Sequence, residues 1–135
     1  MKTNRSILTI AVLIGTLGSC KMKDVSKDSP LITVISPSRK QDVKDIVPFN
    51  VEAIVEPKDK SVVQYTLTLL DSEKRKVFEK DVDCDCKGEK RVKIKESIEY
   101  DVNQSTDVLL RLWVIFEDGT SVVEEVPFKM IDTKI

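Results

Sequence analysis

Apolar residues recur at every second position through most of this chain, and that spacing decides what it can fold into. Val108, Leu110, Leu112, Val114 and Phe116 alternate with Leu109, Arg111, Trp113 and Ile115. Val63, Tyr65, Leu67 and Leu69 alternate with Gln64, Thr66 and Thr68, and Val92 and Ile94 with Arg91, Lys93 and Lys95. Successive side chains of a strand point to opposite faces, so a period of two sends one row into a core and the other toward water. Ile32 with Val34, the row Val47-Phe49-Val51-Ala53-Val55, the run from Lys76 to Val82 and the run from Val122 to Ile131 bring such stretches to seven. After the first twenty residues no segment carries the 3.6-residue period of an amphipathic helix. Turn residues separate the stretches: Ser36-Pro37, Glu56-Pro57-Lys58-Asp59-Lys60, Asp71-Ser72-Glu73-Lys74 and Asp118-Gly119. The last is the most specific, because a tight hairpin needs positive φ, which Gly adopts freely and Asp tolerates.

Seven short strands in a domain of about 100 residues predict an all-β fold, a seven-stranded antiparallel immunoglobulin-like β-sandwich. An open barrel of the same strand number is the alternative.

The N-terminus reads differently. Lys2 and Arg5 precede an apolar run, Ile7 to Ile14. It is too short for the roughly 20 residues of a membrane-spanning helix and fits a secretory signal. The run closes in Leu17-Gly18-Ser19-Cys20. That ending resembles the bacterial lipobox, in which the cysteine sulfur is diacylglycerylated and the cysteine becomes the acylated N-terminus. The resemblance implies a lipoprotein signal peptide over residues 1–19 and lipidation at Cys20. It also implies an extracytoplasmic location on the cell membrane or outer membrane, periplasmic or surface-exposed. Attachment through several acyl chains is close to permanent, and Lys21 is compatible with outer-membrane sorting. Residues 20–30 read as a polar, flexible tether that spans about 30 Å when extended. Residues 31–135 remain for one domain with a modest core.

Removing Lys2 and Arg5 with the signal takes the formal net charge from −1 to −3. This balance argues against a nucleic-acid partner, which favours a clustered basic surface. There is no histidine in the chain. The commonest general base, the usual zinc ligand and every Ser-His or Cys-His pairing are thereby excluded. No Gly-x-Ser-x-Gly elbow and no phosphate-cradling glycine loop occurs. The reading is non-catalytic, with no catalytic residue, no metal and no cofactor. Glu96, Glu99, Glu124 and Glu125 read as solvated surface.

Asp81-Val82-Asp83-Cys84-Asp85-Cys86 is open to three readings. In the first it is a strand end and loop, with the two cysteines inward as small hydrophobes. In the second Cys84 and Cys86 form a disulfide. Residues two apart in a straight strand lie roughly 6.5–7 Å apart, at the far edge of disulfide geometry, so the chain must bend at Asp85. In the third the aspartates begin a calcium loop, yet the places that need Gly and a bidentate Glu hold Cys86 and Val92. A thiol–disulfide active protein using Cys84 and Cys86 is the alternative function. Against it, a reactive thiol needs a cation or helix N-terminus nearby, and here its neighbours are aspartates.

Trp113 falls on the face opposite the apolar row, beside Arg111. A ring next to a guanidinium can stack on sugar or peptide, which makes the pair a possible ligand surface. The other reading packs Trp113 under a loop or in the core.

Three segments, Ile32-Thr33-Val34-Ile35-Ser36-Pro37, Val47-Pro48-Phe49-Asn50-Val51 and Val63-Gln64-Tyr65-Thr66-Leu67, carry a wider likeness together with Leu110-Arg111-Leu112-Trp113-Val114 and Asp118-Gly119. Over residues 31–132 the chain resembles bacterial Ig-like domains, and is similar to small lipoproteins of unknown function from Bacteroides-type bacteria. The resemblance implies the fold and an envelope location, and it brings no activity. The cysteine pair that joins the two sheets in antibody domains is missing. The expected protein is therefore a membrane-anchored extracytoplasmic lipoprotein whose domain binds a protein or glycan or supports the cell envelope.

Overall fold

Most of the alternating stretches become strands whose apolar row is buried, most plainly the one from Thr106 to Phe116. Val108, Leu110, Leu112, Val114 and Phe116 are all at most 3% exposed. The computed structural model describes residues 29–134. The signal peptide over 1–19, Cys20 and most of the 20–30 tether lie outside the described residues. The strands are β1 (Ile32–Ser36), β2 (Asp42–Lys44), β3 (Phe49–Val55), β4 (Val62–Leu70), β5 (Lys76–Cys86), β6 (Val92–Ile98), β7 (Thr106–Phe116) and β8 (Ser121–Ile131). No helix occurs among the described residues.

The strands form two sheets, ordered β1-β3-β6 and β2-β8-β7-β4-β5. Consecutive strands β3 and β4 lie in different sheets, while β3 pairs with β6 and β4 with β7. This crossover is the Greek-key arrangement of immunoglobulin-like sandwiches. Two separate sheets replace the barrel alternative. Val51, Ala53, Val55, Ile94 and Ile98 face Leu67, Leu69, Leu110, Leu112, Phe116, Phe128 and Met130 across one core. Among the described residues every member of that core falls between Ile32 and Met130 and both sheets contribute to it, which is the condition for a domain to fold by itself.

Two parts of the expected architecture are corrected. Among the described residues there are eight strands instead of seven, and the sandwich is not wholly antiparallel, because β2 pairs with β8 in parallel. With only three residues and one buried side chain, Val43, β2 is too short to show a period. Two expected core positions also move. Val47 is 55% exposed because its N–H closes a turn on the Asp45 carbonyl at 2.8 Å, ahead of the strand start at Phe49. Val63 is 39% exposed while Val62 is fully buried. A bulge causes this: Val62 pairs with Phe116 but Gln64 pairs with Ile115, so Val63 is the extra residue.

The register fixes which connections share an end. Ile32, Val55 and Val92 are level with one another, as are Val62, Cys86 and Phe116. Ser61 ties that end together: its carbonyl accepts from Glu117 N–H at 2.9 Å and its hydroxyl from Gly88 N–H at 3.1 Å. The chain enters here, at Ser29. The C-terminal residues and Asp45 lie at the other end, where Asp45 N–H donates to the Ile131 carbonyl at 3.0 Å.

Candidate functional site

The outer face of the five-stranded sheet centres on β7. Trp113 stands between Thr66 of β4 and Val123 of β8, and Arg111 between Thr68 and Glu125. The period of two that buries Leu112 turns both outward, and Trp113 is 44% exposed. Ile115, two residues along, and Val123, level with Trp113 on β8, are half-buried beside the ring on this face, while Arg111 separates it from the half-buried Leu109. Arg111 Nε donates to Glu125 Oε2 at 2.7 Å, and Arg39 Nη2 donates to the Glu125 carbonyl at 3.1 Å. The guanidinium is thus held in place beside the ring by Glu125, which is 8% exposed and so not the solvated surface expected of it. Farther along the face, Thr66 Oγ1 donates to Asp81 Oδ1 at 2.7 Å.

The segment read as a strand end and loop is strand throughout, since β5 continues to Cys86. Cys84 and Cys86 are joined as a disulfide, with Cα atoms 5.2 Å apart. The bend comes from the same irregularity that displaces Val63. Val62 pairs with Cys86 and Gln64 with Asp83, so Cys84 and Asp85 together oppose Val63 alone. Both cysteines pack half-buried against the core, while Asp81, Asp83 and Asp85 are exposed. Among the described residues no group of three His, Cys, Asp or Glu side chains is placed to hold a metal ion.

Two polar centres depart from expectation: Glu96, expected as solvated surface, has a side chain only 15% exposed, and Asp45 carries no mark in the sequence. Across the open side of the sandwich, Glu96 accepts from Tyr65 Oη at 3.0 Å and from Lys80 Nζ at 2.8 Å, joining the two edge strands β5 and β6. Burial, then the Glu96 carboxylate, push the Tyr65 phenol up to about 12. At the C-terminal end, Asp45 is 1% exposed. It accepts from Thr133 N–H at 3.0 Å, Thr133 Oγ1 at 2.8 Å, Val102 N–H at 3.2 Å and Lys134 Nζ at 3.1 Å. Lys134 also reaches Asp101, Asp132 and the Val102 carbonyl. Burial opposes the Asp45 charge, but these donors outweigh it and hold the carboxyl well below the usual range. The cluster clamps the C-terminal residues onto the β2–β3 connection. No local pattern marks it, because its members lie far apart in the chain.

The fold defines a class, the two-sheet immunoglobulin-like sandwich, and solved structures share it. The chain is similar to CopC from Methylosinus trichosporium, at 19% identity over 77% of this chain and 97% of that one, with a TM-score of 0.50. It is also similar to a superoxide reductase (neelaredoxin) from Ignicoccus hospitalis, at 16% identity over 73% and 78%, with a TM-score of 0.53. Fibronectin(III)-like modules of Clostridium thermocellum CbhA align at 11% identity over 77% and 99%, with a TM-score of 0.49. At these identities the likeness to CopC and to the superoxide reductase is one of fold alone. No protein-family model and no curated protein matches the chain.

Proposed function

We propose that this chain is a lipid-anchored extracytoplasmic protein whose sandwich is a non-catalytic binding module at the cell envelope, holding a protein or glycan on the outer face of its larger sheet. The observation that carries the reading is the patch around Trp113, in which an indole 44% exposed stands beside Ile115 and level with Val123. Single exposed hydrophobes are ordinary, whereas a contiguous patch around a large ring is the mark of a contact surface. Tryptophan and arginine are the residues that most often carry binding energy. The lipobox-like Leu17-Gly18-Ser19-Cys20 supplies the anchor. One aromatic ring makes a poor sugar platform, so a protein partner suits the patch better than a glycan. The test is capture from envelope extracts, with a glycan array in parallel, by residues 29–135 and by Trp113→Ala. A partner held by the wild type and lost by a folded Trp113→Ala supports the reading. A partner bound equally by both places the contact elsewhere.

The disulfide favours a second reading, a thiol–disulfide active protein using Cys84 and Cys86. The flanking Asp83 and Asp85 favour the neutral thiol over the thiolate that such chemistry needs. Turnover of insulin disulfides in the presence of dithiothreitol, above the rate of a Cys84→Ser/Cys86→Ser control, would favour this reading over binding.

A further inference from the structure

Three cations stand in a row on the outer face of the three-stranded sheet without an acidic partner among the described residues. Arg91 directly precedes β6, and Lys93 and Lys95 lie on it, alternating with the buried Val92 and Ile94, so all three are exposed on one side. Lys60, Arg75, Lys76, Lys80, Arg111 and Lys134 each hold a carboxylate. By contrast, Arg91, Lys93 and Lys95 make no side-chain hydrogen bond or ion pair with a described residue. Lys93 is level with Ile54 and Thr33, and Lys95 with Glu52, the only acid among the outward strand residues of this face.

Apolar side chains accompany the row. An irregularity in β1 leaves Ile35 out of register with β3 and 52% exposed. Ile35 and the half-buried Ile54 border a shallow groove of about 400 Å³ together with Arg91, Lys93, Lys95 and a single acid, Glu52.

We propose that this face is a membrane-contact surface that lies on an anionic phospholipid bilayer, with lipid phosphates against Arg91, Lys93 and Lys95 and Ile35 at the headgroup boundary. Cations beside an exposed aliphatic side chain are the pairing that a charged interface with an apolar interior recognises. A soluble polyanion uses the cations and gains nothing from Ile35. The chain outside the described residues ends in the right place. It meets the domain at Ser29, just before β1 of this same sheet, and Cys20 lies nine residues upstream. Nine residues reach about 30 Å, enough for the domain to lie on its side. The place of this contact in the cell rests on the anchor reading, whereas the chemistry of the face does not. With this face down, the Trp113 patch on the opposite sheet is turned away from the membrane.

The experiment is co-sedimentation of residues 29–135 with vesicles of phosphatidylcholine alone and of equal parts phosphatidylcholine and phosphatidylglycerol. Binding to the anionic vesicles only is expected, and it falls away as salt rises. Arg91→Gln/Lys93→Gln/Lys95→Gln weakens it by about fivefold per residue, on the order of 100-fold in all. Ile35→Ser weakens vesicle binding severalfold and leaves binding to polyglutamate unchanged. Thermal melts establish that the variants fold, and the salt series needs no variant. No binding to anionic vesicles overturns the proposal, as does polyglutamate binding of equal strength with Ile35→Ser silent on both. Acyl labelling of Cys20 is a separate readout, so failure of the anchor and failure of this face are distinguishable.

Discussion

Replacing Leu112 by alanine probes the core at its centre. Leu112 lies midway along β7, level with Leu67 of β4, and is 1% exposed. The change removes three carbons, worth about 2.4 kcal/mol at about 0.8 kcal/mol per buried CH₂. Leu67, Leu110 and Val114 around it are themselves at most 1% exposed and held in paired strands, so the site collapses little. The residual cavity brings the cost to roughly 3–4 kcal/mol. A domain of this size has about 5–15 kcal/mol in total, so the variant folds and melts roughly 10–25 °C lower. Trp113→Ala, one residue along on the outward face, loses only partly buried area and costs about 1–2 kcal/mol. Thermal and urea melts of residues 29–135 decide between them. Should Trp113→Ala prove the more damaging, the facing of β7 is inverted and the proposed contact patch disappears with it.

Gly119 has φ of +88° with open space around it, so Gly119→Val meets no clash and pays only in backbone strain. That strain is about 1–2 kcal/mol for a side-chain-bearing residue in the left-handed region, read as a lower melting point. Asp45 has a native pKa below its unfolded value of about 3.9. Its contribution to stability is therefore complete above that value and is lost as pH falls toward the native pKa. Asp45→Asn should be destabilised at pH 7 and lose less than the wild type on acidification below about pH 4; parallel melting curves would refute this. The double substitution Cys84→Ser/Cys86→Ser opens a very small ring and should cost about 1–2 kcal/mol, measured by urea denaturation.

Where one face is buried and the other wet, the chain announces its strands. The β7 row from Val108 to Phe116 and the outward Trp113 can be read directly from spacing. Where a strand departs from a period of two, the reading slips. Val62 and Val63 are adjacent valines, and only the pairing of Gln64 with Ile115 shows which is inside. β2 has one buried side chain and owes its existence to β8, a neighbour nearly 90 residues away in the chain. β5 looks like a loop after Val82 because exposed aspartates alternate with small cysteines. As an edge strand it has little apolar surface to bury, and its end is shaped by the bulge opposite Val63. Asp45 is one of 23 acidic residues. Its partners Val102, Thr133 and Lys134 come to it only through tertiary folding, so nothing local distinguishes it. The row Arg91-Lys93-Lys95 is visible as a pattern, but its lack of acidic partners emerges only once the paired cations elsewhere are placed.

Everything proposed about where this domain works depends on Cys20. Metabolic labelling with an alkyne palmitate analogue in a bacterial host, comparing the full chain with Cys20→Ala, tests that dependence most directly. The account predicts a labelled, processed wild type and an unlabelled variant that keeps residues 1–19. An unlabelled wild type, or equal labelling of the two, would contradict it.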